Sequence, residues 1–140
     1  MFFGDKVLET GIFLPAGNGK VSYALRTDMA EAAANILTGS GYENKDYTIL
    51  NTVQYSLQEV ADILSSITGR KIIYTSPDVA VYTEALTKAG VPAEYIGVFA
   101  GFAEAIRQGE FEATSGDLEN LIGRTPATLQ DYFKTVYNSK

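Results

Sequence analysis

The 140-residue sequence predicts an α/β fold with few short strands and several helices. Two observations predict it. Strand-type runs alternate with segments of helical period as far as Thr75, and only helical spacing follows. Glycine or proline then opens or closes nearly every segment, which keeps each one short. Hydrophobic residues make up 46% and charged residues 20%, the balance of a globular chain able to bury a core.

The elements follow in order. Gly17-Asn18-Gly19 is a tight turn entering a strand over residues 20–26 (KVSYALR). Thr27 or Asp28 caps the next helix, where MAEAAANIL supplies strong helix formers and Gly39 and Gly41 end the run. Ala30, Ala33 and Ala34 suit a helix lying close to a sheet. Residues 47–50 (YTIL) read as a second strand. Ser56-Leu57-Gln58-Glu59 has capping-box spacing, and Val60, Ala61, Ile63, Leu64 and Ile67 give the helix behind it one apolar face. Gly69 stops it, residues 71–75 (KIIYT) form a third strand, and Pro77 opens a helix over residues 79–89. Pro92 starts the next, running to about Gln108. A short helix begins at Ser115-Gly116-Asp117 and ends at Gly123. The last, over residues 128–137, carries Leu129, Tyr132, Phe133 and Val136 on one face. Three short strands make a poor sheet for so many helices, since a parallel sheet needs cover on both faces and neighbours at its edges.

Composition removes whole classes of chemistry. With no cysteine and no histidine, there are no disulfides, no thiolate nucleophile, no Ser-His-Asp triad and no ordinary zinc site. No metal ligands and no catalytic residue are assigned. A net charge of -6 with only 11 scattered basic residues argues against nucleic acid as a partner. No apolar run approaches the ~20 residues that span a bilayer, and the first residues, MFFGDKVLETG, lack the pattern of a signal peptide. The expected setting is cytoplasmic, without a membrane.

Several tempting motifs fail on inspection. Gly17-Asn18-Gly19-Lys20 has Leu14 where a phosphate loop needs its first glycine, and Val21 where it needs a magnesium-binding hydroxyl. Gly39-Ser40-Gly41 follows a helix and has no third glycine, so it is no dinucleotide fingerprint. Tyr42 and Tyr82 have Asp46 and Leu86 four residues on, rather than a lysine that would lower the phenol pKa. The carboxylates Glu110, Glu112, Asp117 and Glu119 read as solvated surface. Aromatics are the more suggestive set. Tyr95, Phe99 and Phe102 share one helical face, and Phe2, Phe3 and Phe13 gather near the start. Core packing explains such a set, and so does the apolar wall of a pocket for a flat ligand.

The segment KVSYALRTDMAEAAANILTG resembles the strand-Arg-x-Asp-helix portion of the NmrA-like atypical short-chain dehydrogenases. The order that follows is also similar: YTIL, SLQEVADILSSITGRKIIY, the Gly-Val-Pro break in AGVPAEYIGVF, and DLENLIGRTP. The likeness runs from about Gly11 to Tyr137, and its type is that of NAD(P)H-quinone oxidoreductases and triphenylmethane-dye reductases. It implies a larger protein with an N-terminal Rossmann half for the dinucleotide and a C-terminal half over the substrate. Residues 1–140 match the second only, a substrate-side region of a Rossmann-type protein whose dinucleotide-binding half is absent. NADP or NAD is thus expected for the complete protein and none for this chain alone. The segment 47–50 would return to the Rossmann sheet. Arg26 and Asp28 match the strand-to-helix junction, where Asp28 favours the helix dipole and Arg26 pairs locally.

The expected function is the substrate side of an NAD(P)H-dependent oxidoreductase that reduces quinones or similar conjugated acceptors, inactive alone. Phe2, Phe3, Phe13, Tyr95 and Phe99 line its pocket. The expected partner is the Rossmann half or, without it, a second copy in a homo-oligomer such as a dimer. Two alternatives stand beside this: a redox-sensing regulator that binds dinucleotide without turnover, and a stand-alone α/β interaction domain.

Overall fold

Backbone hydrogen bonding in the computed structural model, which describes residues 6–137, yields seven helices and four very short strands among those residues. In chain order they are α1 (Val7–Thr10), β1 (Ile12–Phe13), β2 (Lys20–Ser22), α2 (Arg26–Thr38), β3 (Gln54–Ser56), α3 (Leu57–Thr68), β4 (Tyr74–Thr75), α4 (Val79–Lys88), α5 (Ala93–Arg107), α6 (Asp117–Ile122) and α7 (Leu129–Tyr137). The mixed α/β class with few strands is the predicted one. β1 pairs in parallel with β4, and β2 pairs with β3. None of the described helices is long and apolar enough to cross a membrane. The chain divides into two compact units, residues 6–21 with Tyr55–Glu112, and Ser22–Gln54 with residues 113–137.

The first unit is organised around β1, β4 and α3. Ile12 lies opposite Tyr74, and Phe13 opposite Thr75. The Ile12 amide donates to Ile73 O at 2.9 Å and the Leu14 amide to Thr75 O at 3.2 Å. α3 begins with the predicted capping box: Ser56 Oγ accepts from the Glu59 amide at 3.2 Å, and Glu59 Oε2 accepts from the Ser56 amide at 2.7 Å. Its apolar face buries Leu57, Val60, Ala61 and Leu64. Gly69, at φ 66°, ends it in the left-handed conformation that glycine adopts freely. Residues 71–75 were expected to be a strand throughout, but only Tyr74–Thr75 is one. The Ile72 amide donates to Ser65 Oγ at 2.9 Å instead of to a neighbouring strand. Pro77 lies outside its helix, which starts at Val79 behind Asp78.

The second unit packs α2 against α6 around Ala32, Leu118, Leu121 and Ile122. Tyr47 and Ile49 are packed on this core, yet residues 47–50 are not the expected strand. The Thr48 amide donates to Asp117 Oδ2 at 2.8 Å and the Leu50 amide folds back on Thr48 O at 3.0 Å. These donors are therefore engaged by Asp117 and by the segment itself rather than by a neighbouring strand. The strand expected over residues 20–26 stops at Ser22, because the Tyr23 carbonyl accepts from Asn51 Nδ2 at 3.1 Å. α2 then starts at Arg26, with Leu25 as its N-cap, so neither Thr27 nor Asp28 caps it. α7 buries Leu129 and Phe133. It begins with a second capping pair, in which Thr128 Oγ1 accepts from the Asp131 amide at 3.1 Å and donates to Asp131 Oδ2 at 2.6 Å.

Candidate functional site

The aromatic candidates come from three elements of the first unit. Strand alternation turns Ile12 inward and Phe13 outward, 2% and 41% exposed. The Phe13 ring meets that of Tyr82, on α4, at 5.9 Å between centroids. α5 is split lengthwise by its period. Ile96 and Ala103 are buried, while Tyr95, Val98 and Phe102 lie 43–52% exposed on the other side. Tyr95 stacks on Phe99 at 6.4 Å with 27° between planes, and Phe102 meets Phe111 at 6.1 Å. Of the pocket residues read from the sequence, Tyr95 and Phe99 are thus together, and Phe13 pairs with Tyr82. Phe2 and Phe3 lie outside the described residues. In the sequence Tyr82 stands out only as a tyrosine without a lysine four residues on, and its alignment with Phe13 depends on β1, an element too short to leave a sequence signal.

Near the end of α5, Arg107 makes two hydrogen bonds to Glu104, at 2.7 and 2.6 Å. Hydrogen bonds from Arg107 and Gln108 hold the Glu104 carboxyl down at about 2. Burial pushes the Tyr82 phenol up, so it remains a neutral donor. The exposed Phe13 ring thus has a neutral phenol ring packed against it.

The glycine turn of the same unit is tied down by the protein itself. Three of the four amides of the Gly17-Asn18-Gly19-Lys20 turn are already engaged: Gly17 on Ser76 Oγ at 3.0 Å, Gly19 on Ala16 O at 3.2 Å, and Lys20 on Glu112 Oε1 at 3.3 Å. Gly19 sits so close to α5 that an added Cβ would lie 1.8 Å from the Ile106 carbonyl oxygen. Tyr74 fixes the loop from the other side, its hydroxyl donating to Gly17 O at 2.9 Å. With three of its four amides turned to protein acceptors, the turn lacks the converging row of free amides that a glycine-rich phosphate loop presents. Among the described residues, no group of three or more carboxylates is placed to hold a metal ion.

In the second unit the motif residues form a polar knot. Asp28, 2% exposed, accepts from Arg124 Nη2 at 2.7 Å and from the Ala127 amide at 2.8 Å. Arg124 also reaches Glu31 at 2.6 Å. Asn51, 3% exposed, donates through Nδ2 to Tyr23 O and Ala127 O, both at 3.1 Å, and exchanges backbone bonds with Ser22 Oγ. Asp28 therefore lies in the first turn of α2, where its charge suits the helix dipole as expected, and also joins distant segments. Arg26 does not pair locally as expected; it is exposed and makes no ion pair with a described residue, the nearby acids being held by Arg124.

No protein-family model matches the sequence. Individual proteins do. Quinone oxidoreductase 2 of Escherichia coli is 30% identical over 132 residues, covering 94% of this chain and 46% of that protein. Its crystal structure, described as NADPH-dependent, superposes with a TM-score of 0.86 over 94% of this chain and 48% of its own. The triphenylmethane reductase of Citrobacter sp. is 34% identical with a TM-score of 0.85, covering 91% of this chain and 44% of that one, and has also been crystallised with NADP(H). Festuclavine synthase II of Penicillium roqueforti is 31% identical over 88% of this chain and 43% of the relative. The chain spans less than half the length of each of these relatives.

Proposed function

The chain belongs to the NmrA-like reductase family, to whose C-terminal portion it corresponds, and from that premise we propose that it is the acceptor-side wall of an NAD(P)H-dependent oxidoreductase reducing quinones or similar flat conjugated molecules. The observation that carries the proposal is the exposure of two aromatic side chains, Phe13 and Tyr95, the second stacked on the half-buried Phe99. Large apolar side chains left this exposed suit a flat partner that covers them. Phe2 and Phe3 belong to the same assignment. The wall's contribution is to stack the acceptor, fix its plane and exclude water from it.

The dinucleotide falls to a Rossmann portion outside these residues; in support, the glycine turn that resembles a phosphate loop has three of its four amides engaged by protein acceptors. The chain is inactive alone, and a second copy covers its apolar surface when that portion is lacking. A cytoplasmic setting belongs to the same proposal.

The test joins this chain to the dinucleotide-binding portion of the E. coli quinone oxidoreductase and follows NADPH oxidation with menadione. The joined protein is expected to turn over only when quinone is present. Tyr95→Ala and Phe99→Ala should each raise KM about tenfold, the loss of one aromatic contact of roughly 1.5 kcal/mol. A folded, NADPH-binding joined protein that reduces neither quinones nor dyes would refute the reading. That outcome is also the one a redox-sensing regulator predicts.

A further inference from the structure

Tyr82 is the one buried phenol that touches the aromatic wall. It is 5% exposed, held by α4, and its ring packs on Phe13 at 5.9 Å. A buried tyrosine normally gives its hydroxyl a partner. Even the half-buried Tyr74 does so here, its hydroxyl facing Leu14 O and Gly17 O at 3.2 and 2.9 Å. Tyr82 hydrogen-bonds to no described residue. Yet no buried side-chain oxygen among the described residues lacks a partner, so an unpartnered Tyr82 hydroxyl has to sit where solvent or a ligand reaches it.

We infer that the Tyr82 hydroxyl is the polar anchor of the acceptor site, donating a hydrogen bond to a carbonyl oxygen of a molecule stacked at Phe13. The inference rests on the acceptor-wall reading and sharpens it, because it selects carbonyl-bearing acceptors over flat hydrocarbons of the same shape. An apolar wall alone holds both equally, whereas one well-placed donor discriminates between them. The raised pKa of the phenol acts in the same direction by keeping the proton in place. Tyr82 is a positioning residue in this role.

The test uses the full chain and two probes, menadione and methylnaphthalene, titrated against the wild type and Tyr82→Phe. The substitution keeps the ring and its contact with Phe13. It removes a hydroxyl that no described residue holds, so the melting temperature should not fall. Menadione binding is expected to weaken about three- to tenfold, the range of one neutral hydrogen bond, with methylnaphthalene unchanged. The infrared carbonyl band of bound menadione should move to higher frequency in the variant, as a carbonyl freed from a donor does. Equal menadione affinity and an unmoved carbonyl band in Tyr82→Phe would overturn the inference while leaving the wall intact. A wild-type chain that binds neither probe would remove the wall itself, and the anchor with it.

Discussion

The carboxylate of Asp28 accepts the amide of Ala127 at 2.8 Å, across 99 residues of sequence. Ala127 is held at its other end too, its carbonyl accepting from Asn51 Nδ2 at 3.1 Å. The loop after α6 is therefore fastened by backbone as well as by the Arg124 side chain. Burial decides how much each contact contributes. Asp28 is 2% exposed, and its bonds are charge-assisted in a dry setting. The Arg124–Glu31 contact is 47% and 41% exposed at its side chains and is screened by solvent.

Asp28→Ala is accordingly expected to cost about 2–4 kcal/mol. Glu31→Ala should cost less than about 1 kcal/mol. Urea unfolding midpoints of the two variants check this, and equal losses would show that the knot is a surface feature.

Glycines separate in the same way by what surrounds them. An alanine Cβ at Gly19 would lie 1.8 Å from the Ile106 carbonyl oxygen, backbone that cannot yield without shifting α5. Gly97 and Gly101, inside α5, have open space where a Cβ would go. Gly19→Ala should cost at least about 3 kcal/mol or prevent folding, while Gly97→Ala and Gly101→Ala should each stabilise by about 0.5–1 kcal/mol. Thermal melts of the three variants give the comparison. A neutral Gly19→Ala would mean the loop does not pack on α5.

Stability should depend on pH at both extremes. Three carboxyls sit below their ordinary range: Glu104 at about 2, through hydrogen bonds from Arg107 and Gln108, Glu59 through the Ser56 amide and hydroxyl, and Asp131 through the Thr128 hydroxyl and amide. A folded-state pKa below the unfolded one gives stability that is present above the unfolded value and lost as pH falls. The loss should therefore run from about pH 4.5 down toward 2, and Glu104→Gln should make it shallower. Burial pushes the Tyr23 phenol up to about 12. Its contribution has the opposite sign: present below the ordinary value of 10.0 and lost as pH rises toward 12. Tyr23→Phe should flatten the alkaline limb. With no histidine or cysteine, stability should stay level between about pH 6 and 8. Chemical denaturation across the pH range reads all three regions.

The helices were largely legible in the sequence because their signals are local. Ser56 with Glu59, and Gly39, Gly69 and Gly123 at helix ends, act through bonds or backbone angles within a few residues. Strands were read less well. β1 and β3 are two and three residues long, too short to show a period of two. YTIL has strand composition, but Asp117, far along the chain, takes its amide. Asp28 misled for a related reason. Its place in the helix-entry pattern suggested a cap, and nothing near it announces Arg124, 96 positions on. At the site, the spacing of Tyr95, Phe99 and Phe102 correctly marked one face of α5, whereas the Phe13–Tyr82 contact depends on a long-range strand pairing that no local pattern encodes.

Calorimetric titration of NADPH into the 140-residue chain tests the division of labour most directly. The account predicts no saturable heat from the chain alone, and binding once the dinucleotide-binding portion is joined to it. Saturable binding of NADPH by the chain by itself, as a monomer, would contradict the account and place a nucleotide site within these residues.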